Sequence, residues 1–214
     1  EVYETGLGTR KVAAVLAKNG FTTLAADFLG YGESDPESND ILEARFEKVV
    51  TAMYLLEAID QVPNANSQKL VMWGHSNGGQ IALSVLAVSG QETPTSLWAP
   101  VSKPFPYNIL YYSDELSDRG KMIRKAVAEF EQEYDADEYS VNYYYDFIKA
   151  PLQVHQGTVD ESVPKSWSDQ LVSELKTYVT DLTYHVYSGA DHNLSSGWET
   201  AVGRDVAFFR ERVK

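Results

Sequence analysis

The sequence contains no cysteine. Disulfides, thiolate metal ligands and thiol nucleophiles are therefore excluded, and an intracellular, cytoplasmic setting is mildly favoured. It lacks a run of about 18 or more apolar residues, so it encodes no transmembrane helix. Its opening, EVYETGLGTR, has no apolar signal-peptide core. Basic residues are scarce, 18 against 31 acidic ones, for a formal net charge of -13. A surface this acidic repels phosphate backbones and anionic lipid. Nucleic acid and membrane are thereby set aside as partners, and neutral or cationic small molecules and peptides remain.

What is present fits one globular domain, or a domain with a small insertion: 214 residues, 43 % of them hydrophobic. Apolar residues at helical spacing (Val12, Val15, Leu16) lead to Gly20, a helix stop. Strand-like runs follow at 21–28, 69–73, 94–100, 151–157 and 182–189. Helical patterns lie between and after them: one opened by a capping box of Asp40 and Glu43, one after residue 76, one over about 165–178, and a last one carrying Trp198, Val202, Val206, Phe209 and Val213. Strands alternating with helices predict an α/β fold, a mostly parallel sheet with helices on both faces. Residues 101–147 break the rhythm, being too long for an ordinary connection. They combine aromatics such as Tyr107, Tyr111, Tyr112 and Tyr145 with the acidic run EFEQEYDADE, and a helix is expected at about 116–134. Two readings stay open: an insertion with a solvated acidic face, or a cap whose aromatics line a pocket.

The stretch VMWGHSNGGQ, residues 71–80, carries the chemistry. An apolar strand stops at Gly74, Ser76 follows, and a helical stretch begins. Turning from strand to helix within one residue forces that residue into a strained positive-φ conformation. Gly74 and Gly78 are expected to relieve the crowding two residues to either side. The hydroxyl of Ser76 then stands above the carboxyl edge of the sheet, and the N–H of Asn77 opens the next helix, able to hold an oxyanion.

A serine needs a base. His75 is its neighbour in sequence, and the turn aims it elsewhere, to pack or to line the site. His155 and His185 fall inside strands. His192, in SGADHNLSS, follows the last strand and emerges at the same edge as Ser76. The base needs a carboxylate to fix its tautomer. Asp160, just past the fourth strand-like run, is the best placed; Glu161 and Asp191 are rivals. The chain order is Ser76, Asp160, His192. The acidic run SDPESND lacks the glycine and closing glutamate of a calcium loop and reads as a solvated turn.

With these residues in place the sequence resembles the α/β-hydrolase superfamily from about residue 10 to its end. AADFLGYGES resembles that superfamily's Asp-x-x-Gly-x-Gly-x-Ser loop, with Asp27, Gly30, Gly32 and Ser34 in register. GHSNGG matches its nucleophile elbow. IKAPLQVHQGTVDESVP and YSGADHNL look like the acid and histidine segments of the dienelactone-hydrolase and prolyl-oligopeptidase branches. The resemblance implies a serine hydrolase, a carboxylesterase or a serine peptidase, with catalytic Ser76, Asp160 and His192, an Asn77 N–H in the oxyanion hole, and no metal or organic cofactor. It also implies strands and a second oxyanion donor upstream of residue 10. On that basis the sequence is expected to be an N-terminally truncated segment of a longer protein; the alternative is a minimal variant with rearranged strands. A non-catalytic ligand-binding protein on the same fold is the alternative from another class.

Overall fold

A computed structural model describes residues 9–213. They divide into two compact units: residues up to Val71 together with those from Gly197 onward, and Met72–Ser196.

The first unit is helical. Helix α1 (Arg10–Lys18) buries Val12 and Leu16, at the spacing of one face. Helix α2 (Glu43–Glu57) starts where expected. Asp40 Oδ1 accepts from the N–H groups of Leu42 (2.8 Å) and Glu43 (3.0 Å). The reciprocal arm of the capping box is absent, because Glu43 turns to the Ser38 hydroxyl instead. The loop 27–34 closes on itself: Ser34 Oγ donates to the Asp27 carbonyl at 2.7 Å. Gly32 has a φ of +57°, and a Cβ there would lie 2.2 Å from Asp27 Oδ2.

The expected strand at 21–28 is not formed. A run of apolar and β-branched residues becomes a strand only where a neighbour supplies its ladder. None does so among the described residues, and Thr22–Ala25 stay exposed. The unit closes with helix α7 (Trp198–Arg212), where Phe209 meets Phe21 edge-on at 6.1 Å.

The second unit holds the sheet. Its four strands are β1 (Met72–His75), β2 (Thr95–Trp98), β3 (Leu152–Gly157) and β4 (Leu182–Tyr187), all parallel and in sequence order. Helix α3 (Asn77–Ser89) follows β1, and α6 (Lys165–Leu175) follows β3. Strand alternation sorts the side chains into two kinds of face. One face is aliphatic: Leu97, Leu152 and Val154 pack with Leu83 and Leu86 of α3 and with Leu171 and Leu175 of α6. The other is aromatic and polar. His75, Trp98, His155 and His185 stand at one level across all four strands. Neighbouring rings lie 5.7 Å apart for Trp98–His155 and 5.1 Å for His155–His185.

The stretch 101–147 forms short helices α4 (Tyr107–Leu110) and α5 (Lys121–Phe130) and several 3₁₀ turns. Helix α5 is shorter than expected. Asp118 accepts from the N–H groups of Gly120 and Met122, both at 2.8 Å, and Gly120 has a φ of +71°, so the helix starts there. The aromatics divide. Tyr145 is buried in the aliphatic core. Phe105, Phe130, Tyr134 and Tyr139 pack on one another. Tyr107, Tyr111 and Tyr112 gather on Trp167 of α6. Among the described residues no helix is long and apolar enough to cross a membrane.

Candidate active site

Ser76 sits between β1 and α3 with φ +56° and ψ -121°, the strained conformation the one-residue turn demands. The elbow is fastened to β2. Ser76 N–H donates to the Trp98 carbonyl at 2.8 Å, and Val101 N–H donates to the Ser76 carbonyl at 3.1 Å. A Cβ on Gly74 would lie 2.5 Å from the Gly78 carbonyl oxygen, so that glycine is required. Gly78 is not, because a Cβ there meets nothing within 4 Å. The second tight position is Gly79, whose Cβ would stand 2.7 Å from Pro100 Cβ. The expectation that Gly78 relieves crowding is therefore corrected. At this elbow Gly78 supplies its carbonyl to the close approach, and it is the residue after it that packs on β2's exit. Gly78→Ala should raise stability by about 0.5 kcal/mol, the helix-propensity gain, whereas Gly74→Ala should lose about 1–3 kcal/mol by overpacking. Urea unfolding of the two variants checks both signs.

Asp160 lies in the turn after β3, its side chain wholly inaccessible. Its Oδ1 accepts from Ser162 N–H (2.9 Å) and Val163 N–H (2.8 Å), and its Oδ2 from Gln156 Nε2 (3.0 Å). His192 Nδ1 completes the set, 2.9 Å from Oδ2 and 3.1 Å from Oδ1. Burial pulls the Asp160 carboxyl upward. The hydrogen bonds from His192, Val163 and Gln156, with the nearby imidazole charge, outweigh it and hold the group below its ordinary 3.8. A carboxylate only accepts, so Nδ1 of His192 carries the proton and Nε2 is the free base in the neutral ring.

The rival carboxylates are placed differently. Asp191 is spent on its own loop, accepting from the N–H groups of Asn193 and Ser195 and from the Ser195 hydroxyl. Glu161 is exposed. His155 is fully buried, its Nδ1 2.7 Å from the Tyr187 hydroxyl, and His185 meets Gln153 at 3.2 Å. Ser76 Oγ makes no hydrogen bond to His192 in this structure. The two segments nevertheless meet through the residue before the serine: His75 Nε2 lies 2.9 Å from the His192 carbonyl oxygen. The Asn77 N–H is directed to no carbonyl among the described residues, as expected of a first-turn helix donor.

Two supporting residues escaped sequence reasoning. Gln156 is fully buried; besides Asp160 its amide donates to the carbonyls of Gly157 and Val163, and its oxygen accepts from Ser168 Oγ at 2.6 Å. Gly157 ends β3 where the histidine loop crosses, and a Cβ there would lie 2.2 Å from the Ala190 carbonyl oxygen and 2.5 Å from that of Asp191. Both neighbours are backbone, so neither yields by a rotamer change. Gly157→Ala should push the His192 loop off Asp160, with about a 10²-fold loss of activity; labelling of Ser76 by a fluorophosphonate, timed against wild type, reads it.

A family model for the prolyl oligopeptidase family matches residues 8–212. None of the curated proteins matches the chain. Among solved structures the chain is similar to the Paleococcus ferrophilus monoacylglycerol lipase, with a TM-score of 0.69 and 18 % identity over 98 % of this chain and 91 % of that one. It is similar to Est1E from Butyrivibrio proteoclasticus, solved with ferulic acid bound, with a TM-score of 0.71 and 17 % identity over 100 % and 85 %. It also resembles a Mycobacterium tuberculosis puromycin-hydrolyzing peptidase, with a TM-score of 0.59 and 18 % identity over 77 % and 25 %. These likenesses establish the fold, a parallel sheet flanked by helices.

Proposed function

The chain belongs to the prolyl oligopeptidase family, within the α/β-hydrolase superfamily, and from that premise we propose that it is a serine hydrolase acting on carboxylic esters or peptides through an acyl-enzyme. The observation that carries the reading is the contact of His192 with the buried Asp160 carboxylate, 2.9 Å apart, on a loop that meets His75, the neighbour of a serine strained to φ +56°. Ser76 Oγ attacks the acyl carbon as His192 Nε2 takes its proton. Asp160 keeps the proton on Nδ1 and stabilises the imidazolium. The Asn77 N–H, at the positive end of α3, receives the oxyanion. His192 returns the proton to the leaving alkoxide or amine, and water then repeats the sequence to free the acid. Residues 1–214 serve as one catalytic domain, 101–147 as its cap, in a cytoplasmic setting and without cofactor.

Small-molecule esters are the preferred substrates. Tyr107 and Tyr111 keep exposed faces, their rings 6.0 Å apart beside buried Trp167, and this wall suits an apolar acyl or aryl group. Tyr112 ties it to the acid turn by donating to the Ser162 carbonyl at 2.9 Å. A second reading, a serine peptidase of the prolyl-oligopeptidase type, is favoured by the family itself and by the acidic run 129–138, which suits a basic side chain or a free amino terminus. A panel of aryl and alkyl esters against aminoacyl and peptidyl anilides separates the two. Faster ester turnover, with preference for bulky apolar acyl groups, is the expected result; anilide preference supports the peptidase, and tight binding without turnover supports a non-catalytic binding protein.

A further inference from the structure

We propose that His75 is a positioning residue for the base: its Nε2–H holds the His192 carbonyl, and its ring packs on the His192 imidazole, so that the two rings move as one. The inference rests on the assignment of Ser76, Asp160 and His192 above.

The Asp160 contact fixes only one edge of the His192 ring. A ring tethered through Nδ1 alone still swings about that bond, and its Nε2 travels furthest. What limits the swing is whatever holds the loop backbone and the ring face. Two observations give His75 that task. The His75 Nε2 to His192 carbonyl distance is 2.9 Å, across 117 residues of sequence. A carbonyl oxygen only accepts, so His75 carries its proton on Nε2. The two ring centroids are 4.6 Å apart with planes inclined by 37°, so the His75 ring lies against the face of the base.

His75 is itself immobilised. It ends β1 in register with Trp98 and its ring lies 6.2 Å from that of Trp73. Burial, then the neighbouring His192, lower its pKa, against opposing pulls from the His192 carbonyl and Asp160. Burial thus favours the neutral ring, which adds no like charge beside an imidazolium at His192. The residue before the serine thus ties the elbow to the histidine loop, and the nucleophile and the base share a mechanical link that bypasses the acid.

The test uses four proteins of the full chain: wild type, H75F, H75Q and H75N. Phenylalanine keeps the ring and loses the donor. Glutamine carries an amide that reaches the position of Nε2, and asparagine carries the same amide one methylene short. The readout is the rate of fluorophosphonate labelling at Ser76, with melting temperatures in parallel and, on any ester the wild type turns over, kcat and KM separately. Labelling of H75F and H75N about 10²-fold slower than wild type, H75Q restored to within about threefold, and kcat reduced at unchanged KM is the expected pattern. Equal rates for H75F and wild type overturn the proposal while leaving the triad assignment standing. H75Q as slow as H75N, with both folded, overturns it too, since the donor then contributes nothing. Wild type that is labelled nowhere, or labelled equally after S76A, overturns the underlying assignment and the positioning role with it.

Discussion

Ser76→Ala is expected to abolish covalent capture by a fluorophosphonate and to lower turnover by about 10⁶-fold, as removal of the nucleophile does in other serine hydrolases. The fold should not suffer. The Ser76 hydroxyl makes no hydrogen bond among the described residues, while the residue's backbone supplies the contacts to Trp98 and Val101 that fasten the turn. Alanine keeps those contacts and inherits the same positive φ. Ser76→Gly goes further: it removes the Cβ that makes φ +56° costly, and should raise stability by about 1 kcal/mol while remaining inactive. An inactive variant more stable than the wild type is the signature of strain kept for function rather than for folding. Thermal melting beside a labelling assay checks both halves. Undiminished labelling of Ser76→Ala means that another nucleophile is being captured.

Asp160→Asn is expected to cost about 10⁴-fold in turnover, because the amide permits the wrong histidine tautomer. Here the substitution should also destabilise. Every contact to the Asp160 carboxylate is a donor: two backbone N–H groups, the Gln156 amide and His192 Nδ1. An asparagine offers one oxygen and turns an NH₂ toward groups that already donate, which at a buried site costs about 1–3 kcal/mol. The pH dependence has a definite sign. Folding holds the Asp160 carboxyl below 3.8, so the carboxylate stabilises the folded chain above pH 3.8. That contribution is withdrawn as pH falls below 3.8 through the lowered folded value. The stability gap between wild type and Asp160→Asn should therefore be full at neutral pH and narrow as the pH is taken below 3.8. Denaturant unfolding across that range measures it, and a gap constant with pH would mean that the carboxylate is not what the surrounding donors stabilise.

Much of the candidate site was legible along the chain, for a local reason. Each member sits at the end of a strand-like run, and parallel strands deliver all their carboxyl ends to one edge. The pairing of Asp160 with His192 follows from that rule. The preference for Asp160 over Asp191 rests on another local rule, that sequence neighbours rarely hold the geometry an Nδ1 partner needs; in the structure the Asp191 carboxylate caps its own loop while Asp160 meets His192. The run 21–28 misled because strand propensity describes a side chain's fit to a sheet and says nothing of whether a partner strand lies alongside. Helix α5 is shorter than the apolar pattern at 116–134 implies because Asp118 and Gly120 act as a start signal inside that pattern.

By itself the sequence determined the α/β alternation, the elbow at Ser76 and its positive φ, because these depend on contacts within a few residues. Only the tertiary structure decided that Gly79 and Gly157 are crowded as well as Gly74, that Gln156 donates to Asp160, and that His75 lies against His192. Those facts depend on segments far apart in sequence meeting at particular distances, and such distances are set by sheet register and loop closure, which no local pattern encodes.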